Sequence, residues 1–419
     1  MWHGASVYIK LCALFCGLAF TVHFVIGSSS VVRTTTVIVA PIKAKESGPL
    51  YRIRENGKWG FMNRQGDVVI PARFDHAEDF FEQKAVVSLE GKLGYIDETG
   101  EWRIEPPLFG ARRFQRGIAV AGIPDTLGII DSSGRFLIDP QFTGIEDFSE
   151  GLAAVWRGPT RRVQGEFVFV FGGKWGFIRE DGSIAIETRF ERVKKFTEGV
   201  AAVAFGSQLD ERGVIVNGGK WGFIDARGEI VIQPKFDEVK PFYAGVAVYW
   251  DAGARAQGLI DHSGSVLLPA HYRQIGPYLD DDPFHDGLVR AITKGGLVVY
   301  LKATGKVAFQ CPKSDCSDFS EGLAHVSDGR RSGYIDTTGA IVITLDFDDA
   351  RDFSEDLAAV EEEKLWGYID KTGRWAIPPR FAETYPFVDG LALVRLEDRW
   401  IYIDSTGGIV RENVWDGLN

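Results

Sequence analysis

The sequence is short of everything that announces a reaction. It contains no Gly-x-Ser-x-Gly elbow, no His-Glu-x-x-His pair and no phosphate-binding glycine loop. An enzyme would have to assemble its site from scattered loops, so no catalytic residue and no cofactor is expected. A basic excess is missing too: 47 Lys and Arg stand against 58 Asp and Glu, a net charge of -11, which excludes a nucleic-acid footprint. Only four cysteines are present, and neither their spacing nor the Gly-Gly-x-Gly-x-Asp pattern of calcium-binding β-rolls points to a metal.

The chain does have one phrase, repeated. A Gly recurs at 66, 100, 134, 182, 228, 264, 305, 339, 373 and 407, with a spacing of 34 residues in five of the nine intervals. Taking each Gly as position zero, positions +2 and +4 are apolar throughout, as in Ile184/Ile186 and Ile230/Ile232, except for Arg411 in the last copy. Alternation with period two predicts a strand with one buried face. Aromatic and β-branched pairs at -5 and -4, such as Phe177-Ile178 and Tyr334-Ile335, predict a second strand. Between the two, Asp-x-x-Gly at 97, 131, 225, 261, 336, 370 and 404 fits a type I turn followed by a left-handed Gly. A third strand, Phe-x-Glu-Gly-Leu-Ala-x-Val, lies upstream at 148–155, 196–203, 319–326 and 353–360.

Each copy is therefore a three-stranded antiparallel meander, and the chain is an all-β array of ten. The 34-residue period is shared by helical hairpin repeats, but the recurring glycines exclude helices. Aromatics at +8 and +14 are expected to plug the seams between modules. The phase of the array, which starts on one strand at Leu50 and ends after Trp415, offers no split blade. It favours an open β-solenoid with Arg411 as an end cap over a closed propeller.

The recurring Gly-Lys-Trp-Gly-Phe-Ile at 173–178 and 219–224, with Leu365-Trp-Gly-Tyr-Ile-Asp370, resembles the WG-repeat family over residues 50 to 415. That resemblance implies a bacterial, exported β-repeat protein and names no chemistry. The N-terminus agrees with export. Lys10 precedes an apolar run from Leu11 to Gly27 that reads as a secretory signal, with an uncleaved membrane anchor as the alternative. Residues 1–27 are assigned to this segment, 28–48 to a linker and 49–419 to the array. The mature protein is expected in the periplasm, at the cell surface or outside the cell.

Function is expected where the frame is broken. Two consecutive modules lengthen the same hairpin, at residues 157–173 and 205–219. The first carries Arg157, Arg161 and Arg162 and then Phe167, Phe169 and Phe171, a basic and aromatic ledge suited to a protein partner; mutual pairing of the two hairpins is the alternative. A third insertion, Tyr272 to Phe284, holds the acidic run 280–282 and reads as a solvated loop. Cys311 and Cys316 are expected to form a disulfide in an exported chain, in the one module whose +8 aromatic has become Lys313. The remaining alternative is glycan binding through Trp59, Trp175, Trp221, Trp366 and Trp400, against burial of those indoles.

Overall fold

In module nine, four strands succeed one another as neighbours: Asp349–Ser354, Leu357–Glu362, Leu365–Asp370 and Trp375–Phe381. Three of these are the expected meander. The fourth, the leading strand, is new, and in five modules it is only two residues long, as at Gly144–Ile145 and Glu383–Thr384. The computed structural model describes residues 48–158, 173–209, 215–277, 282–412, 414 and 415. The repeat array, Pro49–Asn419, forms one compact unit, and its described residues contain strands and turns with no helix. The proposed signal or anchor and most of the linker lie outside the described residues.

Local chemistry explains the turns. The carboxylate Oδ1 of Asp97 accepts from the amides of Thr99 at 2.8 Å and Glu101 at 3.1 Å, while Gly100 N–H returns to the Asp97 carbonyl at 2.8 Å. Gly100 sits at φ 85°, a conformation that costs a residue with a Cβ. It is also pressed from outside, since a Cβ there would lie 2.9 Å from Ile70 Cγ2 of the preceding module. The tight turn between the short strand and the first long strand follows another rule. Ser149 and Leu152 exchange both backbone bonds, with Glu150 and Gly151 at φ 52° and 77° between them, which is a two-residue type I′ hairpin.

The tryptophan-glycine strand carries a bulge. Trp221 pairs with Phe236 and Phe223 with Ile232, so that one residue, Gly222, stands opposite three. A Cβ on Gly222 would lie 2.4 Å from the Ile232 carbonyl oxygen. The Gly of the repeated dipeptide thus makes room for the backbone of the next strand. A second irregularity follows, because Ile224 pairs with Ile230. The alternation predicted across +2 and +4 is broken as a result: Ile186, Ile232, Ile343 and Ile377 at +4 are buried, whereas Ile184, Ile230, Ile341 and Ile409 at +2 are exposed.

Modules bury their apolar faces against one another. Trp366, Tyr368, Ile377 and Phe381 of module nine share one cluster with Phe387, Val394, Ile401 and Ile403 of module ten. The +8 and +14 aromatics, here Phe381 and Phe387, are seam residues as expected. Tyr hydroxyls cross the same seams to backbone carbonyls: Tyr95 donates to Arg112 at 2.6 Å, Tyr334 to Arg351 at 2.7 Å and Tyr368 to Tyr385 at 2.7 Å.

The array is closed, contrary to the open solenoid favoured by its phase. Module ten meets module one through the contacts that join interior neighbours. Tyr402 donates to the Arg52 carbonyl at 3.3 Å, and Gly66 leans on Val410, whose carbonyl oxygen would lie 2.5 Å from a Cβ there. Arg411 Nη1 donates to the Gly66 carbonyl at 2.8 Å, repeating the bond from Arg189 to Gly228 at 2.7 Å. Arg411 is therefore a closing residue and not an end cap. Tyr51, Ile53 and Met62 share a cluster with Leu391, Leu393, Trp400 and Val414. A split blade does exist: Trp415 lies parallel beside Arg54, whose amide donates to Val414 at 2.6 Å, in the place where other modules carry their short strand. The result is a closed ring of four-stranded blades, the propeller solution to exposed sheet edges.

Modules six and seven depart from the pattern. The ten-residue strand Val266–Ile275 pairs with Ala256–Asp261 on one side and Leu288–Thr293 on the other, fusing the two into a seven-stranded sheet. The third insertion thus begins as strand; its residues 278–281 lie outside the described residues.

Two outcomes follow. Arg411→Ala removes the Gly66 bond and the ion pair with Glu55 at 2.8 Å; it should destabilise the ring by about 1–2 kcal/mol and speed amide hydrogen exchange at Ile53 and Met62 more than at interior seams. The second concerns acid. Asp131 is held down to about 2, first by the Ser133 hydroxyl, against a desolvation that pushes the other way, and then by the amides of Ser133 and Arg135. A depressed folded value means this contribution is complete above the unfolded carboxylate value of about 4 and is lost as the pH falls toward 2. Ser133→Ala should move the Asp131 titration upward in a carbon-13 NMR experiment, and its loss of stability relative to the unaltered chain should be full above about pH 4 and shrink as the pH falls toward 2.

Candidate interaction site

The seams carry a second layer of chemistry that the sequence reading did not isolate. In the type I′ turn, the left-handed Glu150 reaches the next module, where its carboxylate accepts from Glu198 N–H at 2.8 Å and Gly199 N–H at 2.9 Å. Glu321 does the same for Glu355 and Asp356, at 2.8 and 3.0 Å. A bulky residue with positive φ is disfavoured, and here the strained position is occupied because the carboxylate caps two amides of the neighbouring turn. Partners from the following hairpin add to this. Glu198 pairs with His262, which stacks on Phe242 with ring centroids 4.1 Å apart, and Glu321 pairs with Lys371 at 3.2 Å.

One seam reverses the signs. Arg116 occupies the glutamate position of module three and pairs at 2.9 Å with Glu180 of module four, where modules six and nine carry His262 and Lys371. The only hint in the sequence was the reversal itself, visible once the copies are aligned.

The two long insertions are anchored at their bases in the link from the preceding module. Thr143 Oγ1 donates to the Gly158 carbonyl at 2.9 Å, and the Arg157 guanidinium lies 4.7 Å over Phe142 while donating to Gln141. In the second insertion, Ser207 Oγ and Arg192 Nη2 both donate to Gly218, at 2.9 and 2.6 Å, and Ser207 N–H donates to Glu191 at 2.5 Å. Burial raises the Glu191 carboxyl, but its bonds with Ser207 and Lys174 outweigh that and hold it below its ordinary range. Beyond this base, Gln208–Leu209 pairs with Ile215–Asn217 as a small separate hairpin. Of the predicted ledge, Arg157 is placed as described; Arg161, Arg162, Phe167, Phe169 and Phe171 lie outside the described residues, as do 210–214.

Beside the second insertion the seam between modules four and five is open. A cavity of about 490 Å³ is lined by Arg189 and Phe190 of module four and by Phe205, Gly228, Glu229 and Ile230 of module five. Arg189 Nη2 bridges the seam to the Gly228 carbonyl at 2.7 Å, and its guanidinium lies 5.0 Å over Phe190. Phe205, the first residue of the insertion, meets Phe190 edge-on at 5.7 Å. Phe205 opens the insertion singled out from sequence at 205–219; the other lining residues were not singled out, because each occupies an ordinary repeat position.

The other sequence candidates resolve differently. Cys311 and Cys316 are joined with a Cα separation of 6.1 Å and lie buried beside Tyr300 and Phe319. Trp221, Trp366 and Trp400 are buried and Trp59 and Trp175 half-buried. Arg192 and Arg351 lie over Trp221 and Trp366 at 4.7 and 4.4 Å, so these faces are already stacked. Among the described residues no group of three or more His, Cys, Asp or Glu is arranged to hold a metal ion.

The reversed seam makes a clean double-mutant test. Arg116→Glu sets a carboxylate against Glu180 and should lower the thermal midpoint; adding Glu180→Lys should recover it, with a coupling of about 0.5–1 kcal/mol for so exposed a pair.

Comparison with known proteins gives fold relatives and a family. Among solved structures, the chain is similar to a eukaryotic initiation factor, at 11% identity over 88% of this chain and 97% of that one, with a TM-score of 0.48. It is also similar to BamB from Moraxella catarrhalis, at 11% identity over 83% and 98% of the two chains, TM-score 0.34. A third is an extracellular domain assigned to a hybrid two-component system of B. thetaiotaomicron, at 10% identity over 85% and 54%, TM-score 0.25. No curated protein sequence matches the chain. The family model described as WG containing repeat matches residues 59–92, 128–155, 175–207, 221–249, 333–366 and 366–400. Each matched segment carries a position-zero Gly, and four of the six carry the turn Asp; the chain belongs to the WG-repeat family.

Proposed function

We propose that this protein is a non-enzymatic, exported β-repeat scaffold that binds a protein partner at the bacterial cell envelope, through the face carried by modules four and five. The observation that supports this reading is the coincidence of three departures from the repeat in one place: two consecutive inserted hairpins, bases tied to the preceding link, and an open seam beside the second. Elsewhere the repeated residues are used up in joining modules, whereas inserted loops on a rigid scaffold are free to specify a partner. The buried Cys311–Cys316 disulfide fits an oxidising compartment. Glycan binding by the repeat tryptophans is less favoured, because stacking on sugars needs exposed indole faces and these are buried or half-buried beneath neighbouring side chains.

Deleting residues 159–172 joins Gly158 to Gly173, leaving a two-residue turn like Glu363-Lys364 of module nine, which has φ 52° and 68°. Proteins crosslinked to the intact chain in its native envelope should be lost from this shortened chain, while circular dichroism and thermal midpoint stay unchanged. Recovery of the same partners in the same yield would remove the first hairpin from the interaction.

A further inference from the structure

The seams of the ring show what belongs in the cavity between modules four and five. At position +2 modules two and nine carry Trp102 and Trp375, each reaching back across its seam to the +8 aromatic of the preceding module. Trp102 meets Phe74 edge-on at 5.9 Å, and Trp375 meets Phe347 at 5.6 Å. Module five has Ile230 at that position, exposed and facing the same +8 ring, Phe190, across the void. Position +2 is aliphatic in most modules, as at Ile184, Ile341 and Ile409, and at Ile230 it leaves open a space that an indole occupies in two sister seams. The space that remains is lined by Phe190, Phe205 and Ile230, with Arg189 and Glu229 at its polar side.

We infer that this seam takes an aromatic side chain from the bound protein partner, supplying in trans the ring that Trp102 and Trp375 supply in cis. The inference rests on the proposed interaction face and names the chemistry of its anchor. Charge complementarity favours a ring over an aliphatic anchor. The Arg189 guanidinium already lies 5.0 Å over Phe190, and a second ring beside it gains a cation-π contact with its negative face. Glu229 offers a carboxylate to an indole N–H or a phenol O–H, the polar handle that a buried Trp or Tyr needs satisfied. Phe190 and Phe205, edge-on to each other, leave ring faces and edges for a third aromatic. Aromatic anchors in pre-formed pockets are the usual hot spots of protein interfaces.

The test uses the full-length chain and 5-fluoroindole, observed by fluorine-19 NMR. The intact protein should shift and broaden the fluorine signal. Ile230→Trp fills the seam from within, as modules two and nine do; it should leave the thermal midpoint unchanged or higher and reduce binding on the order of tenfold. Ile230→Phe, a smaller filler, should weaken binding in the same direction, and Ile409→Trp at the equivalent position of module ten should leave it intact. Undiminished binding to a folded Ile230→Trp chain, or no binding to the intact chain, overturns the inference. The chain lacking residues 159–172 separates the two proposals. If it binds 5-fluoroindole but recovers no partner, both stand. If it recovers every partner and binds 5-fluoroindole, the aromatic seat survives and the hairpin's role falls.

Discussion

Everything in the ring depends on a contact between one module's turn and the previous module's core. The position-zero Gly takes a left-handed conformation that its own hairpin requires, and the space its missing Cβ leaves is claimed by the +4 side chain of the module before. At Gly100, Gly134, Gly182 and Gly373 that neighbour is an Ile whose nearest side-chain carbon would lie 2.6–3.0 Å from a Cβ. Local geometry and seam packing thus converge on one residue type. The Tyr hydroxyl, the +7 Arg and the turn carboxylate all cross the same boundary, so the apolar clusters span two modules. A lone three-stranded meander has no second face to pack against, and closure of the ring gives the first and last modules the neighbours they would otherwise lack.

Much of this was legible in the sequence, because the strongest signals are local. The period, the Asp-x-x-Gly turn and the paired seam aromatics require only nearby residues to be read. The misreadings have equally physical causes. The +2 column was assigned to the core because alternation was assumed to continue, whereas the bulge opposite Gly222 and the slip between Ile224 and Ile230 break it. Closure was missed because Val414 and Trp415 act on Arg54, more than 350 residues away, and no local pattern reports so distant a partner. As for the site, spacing located the insertions, and the described residues explain their bases. The cavity beside them was illegible, since it follows from what Ile230 fails to reach.

The seventh module shows how such an array tolerates loss. Lys313 stands exposed where a seam aromatic is expected. Phe309, at the position usually held by Ile, packs against Tyr300 and Phe319 and receives Gly339 of the next module. The Cys311–Cys316 bond closes the strand end in the same cluster. The missing ring is compensated by another ring and a covalent staple, and the seam stays filled.

Set beside that repair, the seam between modules four and five is a different kind of departure. Module seven lost a ring and filled the gap from its own residues, while module five keeps a void of about 490 Å³ next to the second of the ring's two consecutive long hairpins. The apolar lining of an open pocket stays in contact with water that a filled seam would exclude. Two sister modules show that a single Trp at +2 is enough to occupy such a seam. Ile230 therefore leaves open a place that the fold itself knows how to fill. The repeat supplies the reference against which the opening can be recognised, and the base of the second insertion stands beside it, tied to Gly218 by Ser207 and Arg192.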